Sequence, residues 1–121
     1  MAALDNCVSI HPYFTVSEEN LNQAREYCER FVASTQTESK CLYYGFSISG
    51  NEIHCREGYQ GGEGLLAHLE NVGALLGEFL EKIATITRLE VHGPADELEK
   101  VKEALAPLEP QYFVLEYGIR N

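Results

Sequence analysis

The sequence predicts an α+β fold: a ferredoxin-like β-α-β-β-α-β sandwich with an added short helix and a C-terminal strand. Three observations predict it. Two apolar stripes recur at helical spacing. Between them, a run of alternating residues is broken by a two-residue turn. The 121 residues carry no linker, repeat or low-complexity tract, which suits one domain spanning 1–121.

The first strand is "CVSIHPYFTV". Val8, Ile10, Phe14 and Val16 point one way, and Cys7, Ser9, His11 and Tyr13 the other. Pro12 has no amide hydrogen, so it predicts a bulge or a position off the ladder. Ser17 is placed as an N-cap, with Glu18 and Glu19 in the first turn of a helix. Leu21, Ala24, Cys28, Phe31, Val32 and Thr35 form its apolar stripe. "CLYYGFSISGNEIHCREGY" reads as a hairpin closed by Gly50-Asn51. Counting from that loop pairs Ser49 with Glu52, Ile48 with Ile53, Phe46 with Cys55, Tyr44 with Glu57 and Leu42 with Tyr59. Between these lie Ser47–His54, Gly45–Arg56 and Tyr43–Gly58. One hairpin face is then apolar except for Glu57.

Gly61, Gly62 and Gly64 follow as a tight strand-to-helix turn. The second helix carries the stripe Leu65, Leu69, Val72, Leu76, Phe79 and Leu80. "IATITRLEVHG" is the fourth strand. Gly93-Pro94 opens a short third helix, because proline suits the first helical position. That helix buries Leu98, Val101 and Leu105 and is bounded by Pro107 and Pro110. "QYFVLEYGI" is the fifth strand.

Composition excludes several function classes. The net charge is −10 and the nine basic residues are scattered, so neither nucleic acid nor an anionic membrane surface is an expected partner. No run approaches the ~18 apolar residues of a membrane span. "MAALDNCVSI" has no basic region and no long apolar run, so no secretory leader is expected and the location is read as cytoplasmic. Cys7, Cys28, Cys41 and Cys55 form no CxxC pair and each sits in an apolar pattern; they read as buried reduced thiols, not zinc ligands. The run "GYQGGEG" offers amides near a helix start. No lysine follows it, however, and Glu63 would repel phosphate, so a turn is the better reading.

The parity of Glu57 places it beneath the helices, opposite Tyr44. A buried carboxylate needs a partner. His68 lies about 60° from the middle of the leucine stripe at ~100° per residue, at the edge of the buried face. A Glu57–His68 pair beside Tyr44 or Tyr59 is a usable proton-transfer unit. The same pair also suits a buried network that fixes the hairpin or a dimer. The opposite sheet face carries His11, Tyr13, Tyr43, His54, Arg56, Arg88, Glu90 and His92. It is too aromatic for a solvated face and too charged for a second core. A second copy packed there fits, giving a two-fold homodimer, with the three histidines as interface contacts and not a metal site.

"HPYF", "CLYYGF" and "REGYQGGEGLLAHLENVG" resemble the antibiotic-biosynthesis-monooxygenase-type family, from roughly Val8 to Ile119. In that family a strand ending in Glu-x-aromatic leads into a helix with an early histidine; Glu57, Tyr59 and His68 match. The resemblance implies a dimeric α/β barrel, with a cavity between each sheet and its own helices. It implies a small-molecule enzyme, with cofactor-independent oxidation of a phenolic or quinol-type aromatic as the leading activity. His68 and Glu57 would then be catalytic, and Tyr44, Tyr59, Phe46 and Tyr13 would bind a small apolar or aromatic ligand, with no cofactor and no metal. The family also holds polyketide cyclases and proteins with no known reaction. A polyketide-cyclase-like lyase and a non-catalytic ligand-binding or stress-type homodimer are therefore the alternatives. The run "HLENVG" lacks the second histidine common in relatives, no histidine follows along the helix, and the chain has no Trp. These absences argue against haem degradation.

Overall fold

The computed structural model describes residues 5–121; the first four residues of the predicted domain, and with them the start of the leader reading, lie outside the described residues. The fold is α+β. Its strands are β1 (Cys7–Val16), β2 (Cys41–Ser49), β3 (Glu52–Gln60), β4 (Ala84–Gly93) and β5 (Gln111–Val114). They form one sheet in the order β2-β3-β1-β4-β5. All neighbours run antiparallel except β4 and β5, which are parallel. Two long helices, α1 (Leu21–Thr35) and α2 (Gly61–Lys82), pack on one sheet face, and α3 (Ala95–Glu99) and α4 (Lys102–Leu105) follow β4.

Alternation decides which side is core. Every even-numbered residue of β1 from Val8 to Val16 is buried and every odd one is only half-buried. Two apolar clusters lie between sheet and helices. One gathers Val8, Tyr59, Leu65, Val91 and Leu98; the other gathers Phe14, Phe31, Ile53, Val72 and Phe79. The predicted stripes of both helices supply these contacts.

The hairpin turns at Gly50, whose φ is 59°, and pairs as counted from Ser49–Glu52 to Tyr43–Gly58. The count fails at its last step. Cys41, not Leu42, pairs with Tyr59, because an extra residue enters β2 between Cys41 and Tyr43. Leu42 is left 37% exposed instead of facing the helices. A second irregularity lies in β4, where Thr87 is the extra residue between the pairs Tyr13–Arg88 and Phe14–Ile86; its hydroxyl donates to the Tyr13 carbonyl at 3.2 Å. The β1–β3 ladder skips His11 and Pro12. The Pro12 carbonyl accepts instead from His54 Nδ1 at 2.9 Å.

Other expectations are corrected. Ser17 does stand at an N-cap with Glu18 and Glu19 after it, but of a 3-10 turn over Glu18–Asn20 that precedes α1, and its side chain makes no capping bond. The third helix is broken into α3, α4 and a 3-10 turn at Ala106–Leu108, and Pro94 sits one position before α3. The fifth strand stops at Val114, because its ladder with β4 ends at Gly93. Beyond it Tyr117 and Ile119 are exposed.

The glycine run starts α2 directly. Gly61 has φ 66°, in the left-handed region. The Gly62 amide donates to Glu97 Oε1 at 2.8 Å, so the helix start already holds an internal carboxylate. That bond holds the Glu97 carboxyl below its usual range. A Cβ on Gly62 would meet the Glu97 carbonyl at 2.6 Å. Gly62→Ala is therefore expected to destabilise the protein by about 1–3 kcal/mol, seen as a lower urea midpoint with an unchanged slope. No helix among the described residues is long and apolar enough to cross a membrane.

Candidate functional site

Three separate segments meet beneath α2. Strand parity turns Glu57 of β3 inward, where it is 5% exposed. His68, in the second turn of α2, is 4% exposed and directed at it. The connection between α1 and β2 delivers a third group, Glu38. His68 Nδ1 donates to Glu38 Oε2 at 2.9 Å, and His68 Nε2 lies 3.4 Å from Glu57 Oε1. The Tyr59 hydroxyl donates to Glu57 Oε1 at 2.6 Å. Asn71 Nδ2 donates to Glu38 Oε2 at 2.7 Å and fixes that carboxylate from α2. The result is a continuous buried series: Glu38, His68, Glu57, Tyr59. We assign the proton on Nδ1 from the acceptor it faces, which leaves Nε2 with its lone pair toward Glu57.

The electrostatics differ along the series. Burial pushes the Glu57 carboxyl up to about 7; the Tyr59 and Cys55 hydrogen bonds oppose this, and the Glu38 charge adds to it. Burial lowers His68, while its bond to Glu38 and that group's charge work the other way. Burial and the Glu57 charge raise both Tyr44 and Tyr59, so both phenols stay neutral. Near neutral pH the site thus holds a carboxyl that burial biases toward its protonated form, next to an imidazole whose far side is anchored by a carboxylate. Tyr59→Phe is expected to raise the Glu57 pKa further, because it removes a hydrogen bond that favours the charged form. Infrared spectroscopy checks this: the band of a protonated carboxyl should persist to higher pH than in the parent protein.

Glu57 and His68 border a partly open cavity of about 40 Å³ between sheet and helices. Its remaining wall is almost wholly apolar, with Ile10, Phe14, Leu69 and Leu89. Tyr44 and Phe46 line it, where the sequence expects ligand-binding residues. Tyr59 does not line it; it is fully buried behind Glu57 and orients that carboxyl. Tyr13 is not at the cavity at all. It stands on the outer sheet face, stacked on His54 at 4.2 Å, because its odd position in β1 points away from the helices. Glu38 escapes a sequence reading. It lies in a polar connection with no periodicity, and its role comes from a contact 30 residues away.

The outer face holds a second aromatic group. His11 lies 4.6 Å from His92 and 6.2 Å from His54, ring to ring, and His92 stacks on Phe113 at 4.7 Å. Glu90 takes both Arg88 and His92. Burial, then the neighbouring His92 and His54, lowers His11. Among the described residues no group of three or more His, Cys, Asp or Glu side chains is placed to hold a metal ion.

The chain is 40% identical to MupZ from Pseudomonas fluorescens, whose crystal structure superposes with a TM-score of 0.94 over 100% of this chain and 94% of that one. A Bacteroides thetaiotaomicron protein, described as of unknown function and a possible oxidoreductase, is 22% identical, with a TM-score of 0.63 over 72% of this chain and 96% of that one. Rv0793 from Mycobacterium tuberculosis is 24% identical, with a TM-score of 0.58 over 75% and 97%. The last two share the fold. No family model and no curated protein matches the chain.

Proposed function

This chain belongs to the same family as MupZ, and on that premise we propose that it is a small-molecule enzyme of the antibiotic-biosynthesis-monooxygenase-like type that works by proton transfer. One observation carries the reading: the buried series Glu38–His68–Glu57–Tyr59 borders an apolar cavity. His68 Nε2 is the base. Glu38 stabilises the imidazolium that forms and holds the ring in the useful tautomer. Glu57, with its pKa near neutrality, is the acid that returns a proton to the substrate. Tyr59 aims Glu57, and Tyr44 is a neutral hydroxyl at the cavity wall. Positioned acid–base groups of this kind contribute roughly 10²–10⁴-fold in rate.

Such a pair starts cofactor-independent oxidation by removing a proton from a phenol or quinol, with dioxygen as the oxidant. It also drives a cyclase- or lyase-type reaction without oxygen. The cavity volume of about 40 Å³ favours the second, because it admits the reacting end of a molecule and not a whole substituted ring. In the assembly we propose, the ferredoxin-like sheets of two copies face each other through the His11–His54–His92 surface, as a dimeric α/β barrel. A reducing, cytoplasmic setting goes with the four free cysteines.

The test is turnover of a panel of phenols, quinols and polyketide-type ketones, followed by oxygen electrode and mass spectrometry, with native mass spectrometry for the dimer. Oxygen uptake lost in folded His68→Ala supports oxidation. A product formed without oxygen uptake and lost in the same variant supports the second chemistry. Turnover unchanged in His68→Ala sinks the proton-transfer reading. Glu38→Gln is expected to lower kcat on the order of 10²-fold or more, because a neutral amide no longer stabilises the imidazolium.

A further inference from the structure

The apolar interior is divided. The cluster around Val8, Leu65 and Val91 and the cluster around Phe14, Phe31 and Phe79 meet along a seam, and the cavity beside Glu57 and His68 lies in it. Ile10 and Leu89 of the first cluster and Phe14 and Val72 of the second form its walls. The sheet is irregular at the same level. Pro12, where the β1–β3 ladder is interrupted, lines the cavity. The Thr87 bulge lets Ile86 and Leu89 both face inward, and both line it too. The cavity crosses the strands, from Tyr44 on β2, past Glu57 on β3 and Ile10 on β1, to Ile86 on β4. Three inter-strand steps of about 4.8 Å make it roughly 14 Å long. With a volume of only about 40 Å³, it is a slot.

The two ends of the slot differ. At the β2 end the Tyr44 ring lies 5.2 Å from His68 and 5.4 Å from Phe46, which lies 5.8 Å from Phe31. Rings packed on several sides cannot swing aside singly. The β4 end is edged by four half-buried aliphatic side chains, Leu69, Leu76, Ile86 and Leu108. The first three stand on α2 or β4. Leu108 alone stands on a 3-10 turn, Ala106–Leu108. The next residue, Glu109, is left-handed at φ 49°, a strained conformation for a residue with a side chain, and Pro110 follows it. The wall that can yield is therefore at this end. Beyond Glu57 and His68 the slot is apolar, with no lysine or arginine in its lining, so a charged group along its length is left unpaired.

We propose that the slot takes an unbranched, uncharged aliphatic chain, which enters between α2 and β4, and that Leu108 is the gate that decides what passes. Outward rotation of Leu108 lengthens the slot for such a chain, while a six-membered ring is wider than the gate admits. The placing of the chain's reacting end at Glu57 and His68 rests on the proton-transfer reading; the slot and its gate do not.

The test is a titration of protein carrying ¹³C-labelled Ile, Leu and Val methyl groups with pentan-1-ol, hexan-1-ol and heptan-1-ol, and with cyclohexanol and hexanoate as counterparts. The linear alcohols should give saturable shifts centred on the methyls of Ile86, Leu89 and Leu108, and should bind roughly 4-fold tighter per added methylene. In the parent protein cyclohexanol and hexanoate should bind at least about 10-fold more weakly than hexan-1-ol. Leu108→Ala should admit cyclohexanol with the affinity of hexan-1-ol, and Leu108→Trp should exclude both. Thermal melting checks that each variant is folded; were Leu108→Trp unfolded, the gain of cyclohexanol in Leu108→Ala decides. Shifts centred elsewhere, cyclohexanol or hexanoate matching hexan-1-ol in the parent, or unchanged selectivity in Leu108→Ala would overturn the proposal. Gated alcohol binding alongside unchanged turnover in His68→Ala would sink the proton-transfer reading and leave the slot standing. Turnover lost in that variant, with no alcohol at Ile86 and Leu108, would do the reverse.

Discussion

Glu57→Gln is expected to stabilise the protein at pH 8 by at most about 3.5 kcal/mol, and to flatten its stability between pH 4.5 and 7. The folded Glu57 carboxyl titrates at about 7, above its ordinary 4.5. Below pH 4.5 the group is protonated in both folded and unfolded chains and contributes no pH dependence. From 4.5 to 7 the unfolded chain loses the proton first, so stability falls as pH rises; above 7 the loss is complete. The rise from 4.5 to about 7, at about 1.4 kcal/mol per pH unit, sets that ceiling. Glutamine cannot ionise, and its amide finds the Tyr59 hydroxyl and His68 Nε2 where the carboxyl stood. His68 has its own pH dependence, of opposite sign, since a lowered imidazole favours folding more as pH rises through 6.5. The two groups are in contact, so the difference between the proteins reads Glu57 together with its effect on His68. Urea unfolding at pH 4.5, 6 and 8 reads it. A difference that does not change with pH would mean a carboxylate charged throughout, and Glu57 would lose its role as the acid. On the proposed mechanism the same substitution removes the proton donor, so stability and turnover would move in opposite directions.

Phe79→Ala is expected to cost about 3–5 kcal/mol. Phe79 is fully buried near the end of α2. Its ring lies 5.3 Å from Phe14 of β1, and 5.2 Å and 5.6 Å from Tyr27 and Phe31 of α1. One side chain therefore joins both long helices to the central strand, and its removal leaves a void bordered by other large rings that cannot all collapse into it. For a chain of this length the melting temperature should fall roughly 10–20 °C. Calorimetry measures it, with Leu42→Ala as a control, because Leu42 stands exposed at the bulge. A loss below about 1 kcal/mol would show that the two helices hold together without this aromatic cluster.

The parts of the site legible in the sequence are those set by period-two geometry. The Gly50-Asn51 turn decided the side on which Glu57 lies, and the observed pairing of Tyr44 with Glu57 keeps that side. The bulge at Leu42 lies beyond Glu57 in the count, so it spoils one core residue and leaves the acid inward. His68 followed from the helical wheel, since a polar residue at the edge of an apolar stripe needs a buried partner. Tyr13 failed as a ligand contact because the same parity assigns it to the outer face; its aromatic character is no guide to its direction. Glu38 had no signal. It stands in "TQTESK", where charge and hydroxyl groups look like any solvated connection, and only the tertiary fold brings Asn71 and His68 against it. The broken third helix and the short β5 were missed for a similar reason, since each is delimited by what it docks on and not by its own residues.

The proton-handling series is assembled from a connection, a strand and a helix, and no two of its three main members come from one element. A nascent or partly melted chain therefore owns an isolated carboxylate and a solvated imidazole, with ordinary acidities and no directed chemistry. The three groups meet only where α2 packs on β3 and the connection after α1 closes beside them. On the proposed chemistry, turnover would therefore gauge completed folding, and a damaged copy would be silent, not indiscriminate.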